Sequence, residues 1–231
     1  MTLLTLACER GRSIAIDPRK TALACIDFQA DFLAADGMNA SRGLNVKYLA
    51  QALAPARRVL DAARAAGVFV FHTREAYAPD LSDLNLFRRQ YDTIIGQRGP
   101  LGRFLVRGEE GTRIVETMQP IDSEPVIDKA AFSAFHQTTL DTILRVRGIE
   151  TLLLTGITAQ CCVASTLRSA VDHGYSCVLL EDATSAFEFA DIEATINVIY
   201  SENDNFGWVS DSERVMRCLA DATPTTTAGH P

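Results

Sequence analysis

The stretch from Leu152 to Ala170 reads LLLTGITAQCCVASTLRSA, and its reading decides the fold. It opens with an apolar run ending at Thr155, long enough for a buried strand. Gly156 breaks that run. From Cys161 onward the apolar spacing turns helical, through Val163, Leu167, Ala170 and Val171. The spacing therefore predicts a strand, a tight turn and a helix, with a cysteine at the turn. A thiol in the first turn of a helix faces unpaired backbone N–H groups and the positive end of the helix dipole. Both favour thiolate, the nucleophilic form, and the same N–H groups can hold an oxyanion. Cys161 and Cys162 point in different directions, so at most one is a nucleophile. The competing reading is that both are small buried residues, since free cysteine is among the most buried types.

Outward from this stretch, strands and helices alternate. Downstream, Ser176 to Asp182 (SCVLLED) reads as a strand, Asp191 to Tyr200 as a helix and Phe206 to Val209 as a short last strand. Upstream, an amphipathic helix from Gln137 to Val146 stops at Gly148, and PVIDK (Pro125 to Lys129) is a strand ending in a charge. A short helix is expected from Gly111 to Met118. Residues 79–111 are irregular and read as an active-site wall or a subunit contact. Before them come the strand VFVFH (Val68 to His72), a helix from Val46 to Ala66 closed by Gly67, and the strand TALACID (Thr21 to Asp27). This order predicts an α/β fold: three layers, α/β/α, around a mostly parallel central sheet with right-handed crossovers. Nothing divides the chain, so residues 1–231 are expected to form a single domain with frayed ends at about 1–15 and 222–231.

Composition narrows the function. The 231 residues are 47% hydrophobic and 22% charged, with a net charge of −7 and no basic cluster. That balance suits a globular enzyme and argues against a nucleic-acid partner or an anionic membrane surface. No apolar run reaches membrane-spanning length, and the N-terminus is too soon charged for a signal peptide, so a cytoplasmic location is expected. The six cysteines show no CxxC spacing, and no His/Asp/Cys set has metal-ligand spacing, so neither metal nor cofactor is expected. His72 reads as a core or rim residue. GQRGPLG (Gly96 to Gly102) lacks the GKS/GKT ending of a phosphate loop, and no GxSxG serine motif is present.

In such sheets the active site lies beyond the carboxyl ends of the strands. Asp27, Lys129 and the cysteine turn all fall there. A carboxylate can take the thiol's proton and return it to a leaving amine. A nearby ammonium lowers the thiol's pKa, and N–H groups at the turn stabilise a tetrahedral oxyanion. Together they predict acyl transfer to water.

At these residues the sequence resembles the isochorismatase-like cysteine hydrolases, whose turn pattern is Gly-x-Thr-x-x-x-Cys-Val. Gly156, Thr158, Cys162 and Val163 match it in register, so the resemblance implies that Cys162 is the nucleophile and Cys161 a bystander. ACIDFQADF matches the family's first motif and implies a catalytic role for Asp27, and PVIDK does the same for Lys129. The resemblance runs from about Thr21 to Leu219. It implies a cis peptide at Ile157–Thr158, an oxyanion hole built from the N–H groups of Thr158 and Cys162, and a homo-oligomer, a tetramer being favoured.

Within the family, HTREAYAPDLSD, GRFLVRGEEG and FGWVSDSERV look most like the biuret, triuret and ureidoacrylate amidohydrolases. The nicotinamidases' metal-binding Asp-x-His segment is not found. The resemblance names Phe28, Arg107, Phe132 and Glu202 as candidate substrate-binding residues. Phe132 stands where the biuret-type pattern has a lysine, and Glu202 where it has a glutamine. If both line the pocket, an acceptor-only carboxylate and a flat apolar wall suit a neutral linear ureide, triuret first and biuret next. A ureidoacrylate-type carboxylate amide is the alternative substrate, and a non-catalytic binding module of the same fold the alternative role.

Overall fold

In a computed structural model of the chain, residues 3–221 are described. Six strands form one parallel sheet: β3 (Thr21–Ile26), β4 (Phe69–Glu75), β7 (Val126–Lys129), β8 (Thr151–Ile157), β9 (Ser176–Ser185) and β10 (Trp208–Ser210), in the order β10-β9-β8-β3-β4-β7. A short antiparallel ribbon, β5 (Arg98–Gly99) with β6 (Gly102–Arg103), lies in the segment between β4 and β7. Every residue of β3 and β8 is buried, as their continuous apolar runs require of central strands covered on both faces. Helices α1 (Leu53–Ala65), α2 (Leu86–Tyr91), α3 (Leu140–Val146), α4 (Ala164–Asp172), α5 (Phe189–Ile199) and α6 (Ser212–Ala220) supply the longer helical segments. One core, with Leu23, Leu60 and Val215, lies between the sheet and α1 with α6. A second, with Leu144, Leu154 and Leu167, lies between the sheet and α3 with α4. These are the three layers expected. No helix among the described residues is long and apolar enough to cross a membrane.

Three local expectations need correction. Within the span expected to fray at 1–15, β1 (Leu4–Ala7) pairs antiparallel with β2 (Ser13–Ile16), and Leu4, Leu6 and Ile16 are buried. The other frayed segment, 222–231, lies outside the described residues. The helix expected from Val46 to Ala66 is broken into Val46–Leu49, a 3-10 turn at Ala50–Ala52 and then α1. Pro55 has no N–H to give the preceding turn, so the long helix restarts just before it. The helix expected from Gly111 to Met118 is two separate 3-10 turns, Glu110–Thr112 and Glu116–Met118. Its backbone bonds go elsewhere: Ala30 N–H donates to the Arg113 carbonyl and Val115 N–H to the Phe28 carbonyl. The segment is thereby laid along the chain that follows β3.

Candidate active site

Four neighbouring strands each deliver one residue to the same rim. Asp27 follows β3, Glu75 ends β4, Lys129 ends β7, and Cys162 lies in the turn after β8. The chain lays down β3, β4 and β7 in one direction and then places β8 on the other side of β3. The crevice at that reversal is where open α/β sheets bind ligands.

The turn carrying Cys162 depends on a close approach. Gly156 has a φ of +128°, and a Cβ there would lie 2.2 Å from the Ile26 carbonyl oxygen, so only glycine lets β8 pass β3 at this point. The Ile157–Thr158 peptide is cis. Residues Ala159–Val163 then form a single π-helical turn, a feature frequent at functional sites, before α4 begins. The Thr158 carbonyl accepts the N–H groups of both Cys161 and Val163. Cys162 is buried, and Cys161 is half-buried beside it.

Lys129 links the other members. Its Nζ lies 2.7 Å from Asp27 Oδ2, with both side chains at 0% exposure, and 3.4 Å from Cys162 Sγ. Thr73, two residues before the end of β4, donates its hydroxyl to Asp27 Oδ1 at 2.6 Å. Burial by itself would lower the lysine's pKa. The negative charge of Asp27, with contributions from Cys162 and Glu75, outweighs it and raises the pKa well above its ordinary value, so Lys129 is an ammonium. The Cys162 thiol moves the other way from the expectation of a ready thiolate. Its hydrogen bond with Cys161 and its burial push its pKa well up, against the opposing pull of Lys129. At rest it is S–H, and the reaction needs a base within reach.

Sequence reasoning misses Glu75, because the apolar strand reading stops at His72 while β4 runs on through Thr73, Arg74 and Glu75. A signal exists: Phe71, Thr73 and Glu75 alternate with period two along one face. Glu75 is buried, and its Oε2 accepts the Cys162 S–H at 3.7 Å. Its Oε1 accepts from Tyr77 at 2.9 Å and is paired with the buried Arg88 of α2. Arg88 also pairs with Asp92 and lies 4.3 Å over the Phe132 ring.

A cavity of about 210 Å³ opens beside the thiol, lined by Glu75, Arg88, Thr158, Cys161 and Cys162. Asn39 and Arg42 join the lining, and Phe32, Ile94, Phe104 and Phe187 give it an apolar wall. Residues 79–111 thus supply one wall of this cavity. Two larger hollows, about 640 and 490 Å³, flank α5 and contain none of the four clustered residues. The chemistry, not the size, marks the smaller one as the candidate site.

The predicted substrate-binding residues divide. Phe132 reaches the site only as the support beneath Arg88. Phe28 follows Asp27 but is buried in the core. Arg107 is turned to Asp83 and to the Ala76 carbonyl and is not in the cavity lining. Glu202 is exposed in the segment before β10, at the amino end of the strands and therefore on the opposite rim. The expectation that it lines the pocket is corrected by the parallel direction of β10. His72 is a buried core residue whose Nε2 lies 3.0 Å from Glu124, while its Nδ1 has no hydrogen-bond partner among the described residues.

Asp27, Glu75 and Cys162 each bring a donor atom within 4.8 Å of the others, a spacing that could hold a metal ion. The Lys129 ammonium already stands against two of these three groups, and its charge opposes a second cation there.

Comparison with known proteins identifies the family. An isochorismatase domain is matched over residues 21–214. The chain is 33% identical over 220 residues to the ureidoacrylate amidohydrolase RutB of Yersinia enterocolitica, covering 91% of this chain and 94% of that protein. A cysteine hydrolase from Pseudomonas syringae pv. phaseolicola superposes with a TM-score of 0.78 at 28% identity, over 90% of this chain and 95% of the other. N-carbamoylsarcosine amidase from Thermoplasma acidophilum superposes with a TM-score of 0.66 at 25% identity, over 84% and 97%. Matched by this family's domain over residues 21–214, and 33% identical to a relative that it covers almost whole, the chain belongs to the isochorismatase family.

Proposed function

We propose that this isochorismatase-family C–N hydrolase cleaves the terminal C–N bond of a small ureide through a thioester on Cys162. A ureide of this kind has a carbonyl with a terminal amino group on one side and a substituted nitrogen on the other. The observation that carries the reading is the buried contact of Cys162 Sγ with both an ammonium and a carboxylate, at 3.4 Å from Lys129 Nζ and 3.7 Å from Glu75 Oε2. The ammonium stabilises thiolate as it forms, and a carboxylate handles the proton. The backbone N–H groups of Thr158 and Cys162, at the cavity, take the oxyanion. Asp27 fixes Lys129. Collapse releases ammonia, and water then opens the thioester to a carbamate.

The cavity, about 210 Å³ in volume, suits a short linear amide. Carboxylate lone pairs are complementary to the donor-rich ureido end. Ureidoacrylate, biuret and triuret all present that end. A preference for triuret rests on Glu202 and Phe132, neither of which lines the cavity, so the shared ureido group and not the tail is what the site supports. Arg42 lines the exposed mouth with no ion pair among the described residues, which favours an anionic tail such as that of ureidoacrylate. An ammonia-release screen over these three compounds and over plain amides such as nicotinamide tests the reading. Ureides turned over well ahead of plain amides are expected; the reverse order refutes it.

A further inference from the structure

We propose that Asn39, with Arg42 one turn beyond it, forms the subsite that takes the substrate's tail, and that this subsite requires the tail to end in a carboxylate. The inference rests on the hydrolase reading above and concerns the end of the substrate that does not react.

Asn39 is a buried polar side chain without a protein partner. It is 4% exposed and lines the cavity, yet its amide makes no hydrogen bond with any described residue. A buried amide left unmatched costs free energy, and the cavity is the space from which a partner can come. The turn that carries it is firmly held. Met38 packs in a small core with Tyr77 and Phe104, and the Ser41 hydroxyl donates to the Met38 carbonyl at 2.7 Å. Gly37 passes so close to the chain after β3 that a Cβ there would lie 2.4 Å from the Ala30 carbonyl oxygen. The Arg42 N–H donates to the Met38 and Asn39 carbonyls, at 3.2 Å each. Residues 39 and 42 are therefore neighbours at i and i+3 of one helical turn and share a face. Both line the cavity, Asn39 within it and Arg42 at the exposed mouth.

A third unmatched donor belongs to the same cavity. Arg88 lines it, and the terminal nitrogens of that guanidinium are committed to Glu75 and Asp92, which balance its charge. Its buried Nε has no hydrogen-bond partner. Of the three groups, only Asn39 can also accept a hydrogen bond.

That inventory decides the chemistry of the tail. A carboxylate brings two oxygens with about four lone pairs and nothing to donate. A terminal amide brings one acceptor oxygen and two N–H groups that need acceptors of their own. The carboxylate satisfies more of the waiting donors, and it alone answers the unpaired charge of Arg42. The cavity is then complementary to its substrate in opposite senses at its two ends: Glu75, beside the thiol, accepts from the ureido N–H groups, while Asn39 and Arg42 donate to the tail. The substrate class is a ureido acid, a urea that carries a carboxylate on a short chain.

The test is the ratio of kcat/KM for ureidoacrylate to that for biuret, which sets an anionic tail against a neutral one on the same reacting group. Arg42→Gln keeps a polar side chain and removes the charge. The ratio should fall about 10-fold or more, chiefly through a higher KM for ureidoacrylate. Asn39→Asp keeps the shape of the side chain but exchanges its two donors for a charge of the wrong sign, so the ratio should fall about 100-fold. A ratio within about threefold of wild type in either variant overturns the assignment, as does a wild-type enzyme that turns over biuret ahead of ureidoacrylate. Arg42 is exposed, so its replacement leaves the protein folded and decides the matter even where Asn39→Asp does not fold. A wild-type protein inactive on every ureide refutes the functional reading instead, and the subsite is then judged by protection of Cys162 from iodoacetamide. Propionate should protect better than propionamide, and Arg42→Gln should erase the difference; equal protection by the two in wild type overturns the subsite.

Discussion

Replacing Asp27 by asparagine keeps the shape of the side chain and removes its charge. In the folded protein Asp27 and Lys129 are 2.7 Å apart and neither side chain is exposed, so solvent screens the pair very little. Removing one partner of such a pair leaves the other charge uncompensated in the interior, which costs about 3–5 kcal/mol. For a chain of this size 1 kcal/mol shifts Tm by about 2–4 °C, so Asp27→Asn should melt about 6–20 °C below wild type. The pH dependence has a definite sign. Because the folded-state pKa of Lys129 is raised above its ordinary 10.5, the pair's contribution is fully present below about 10.5 and is lost only as pH rises beyond it. The gap between wild type and variant should therefore stay constant from pH 7 to 9.

Thermal and urea unfolding at those two pH values, followed by circular dichroism, measure this. A double variant, Asp27→Asn with Lys129→Met, removes both charges and should be less destabilised than the sum of the single variants by at least about 1 kcal/mol. Single-variant losses below about 1 kcal/mol, or strict additivity in the double variant, would refute the picture of a mutually dependent buried pair.

Three further outcomes follow from the site. Cys162→Ala should abolish turnover while Cys161→Ala retains most of it, and iodoacetamide labelling mapped by mass spectrometry should show substrate protecting Cys162; the opposite pattern would exchange their roles. Glu202→Gln should leave kcat/KM for ureides within about twofold of wild type, because surface changes far from the site are usually near neutral, whereas a shift in the triuret-to-biuret ratio would bring Glu202 back to the site. Overnight treatment with a chelator should leave activity intact, since the Lys129 ammonium stands against two of the three groups that could hold a metal; activity lost to the chelator and restored by zinc would show otherwise.

How much of this is legible in the sequence depends on where each residue's partners lie. The apolar strands announce themselves, because a buried parallel strand needs a continuous hydrophobic run and little else. β4 reads as too short for the converse reason. Thr73, Arg74 and Glu75 are polar and look like a loop, yet the strand continues because each finds a distant partner: Asp27 for Thr73, Asp128 for Arg74, and Arg88 with Gln29 for Glu75. Hydrophobicity within a short window cannot register a charge neutralised by a residue in another element. Arg88 escapes notice in the same way, since its burial follows from Glu75, Asp92 and the Phe132 ring rather than from its own neighbours in sequence.

Glu202 is a different kind of miss, and the topology already contains the remedy. In a sheet whose strands all run parallel, a residue just after a strand lies on one rim and a residue just before a strand lies on the other. Asp27, Glu75, Lys129 and Cys162 all end or follow strands, and they converge. Glu202 precedes β10, the helix α5 having carried the chain back across the sheet, and so it emerges at the far rim. A motif match fixes which residue aligns with which. The direction of the nearest strand decides whether that residue can reach the thiol, and here it separates Glu75, 3.7 Å from Cys162 Sγ, from a glutamate that is not among the residues lining the cavity.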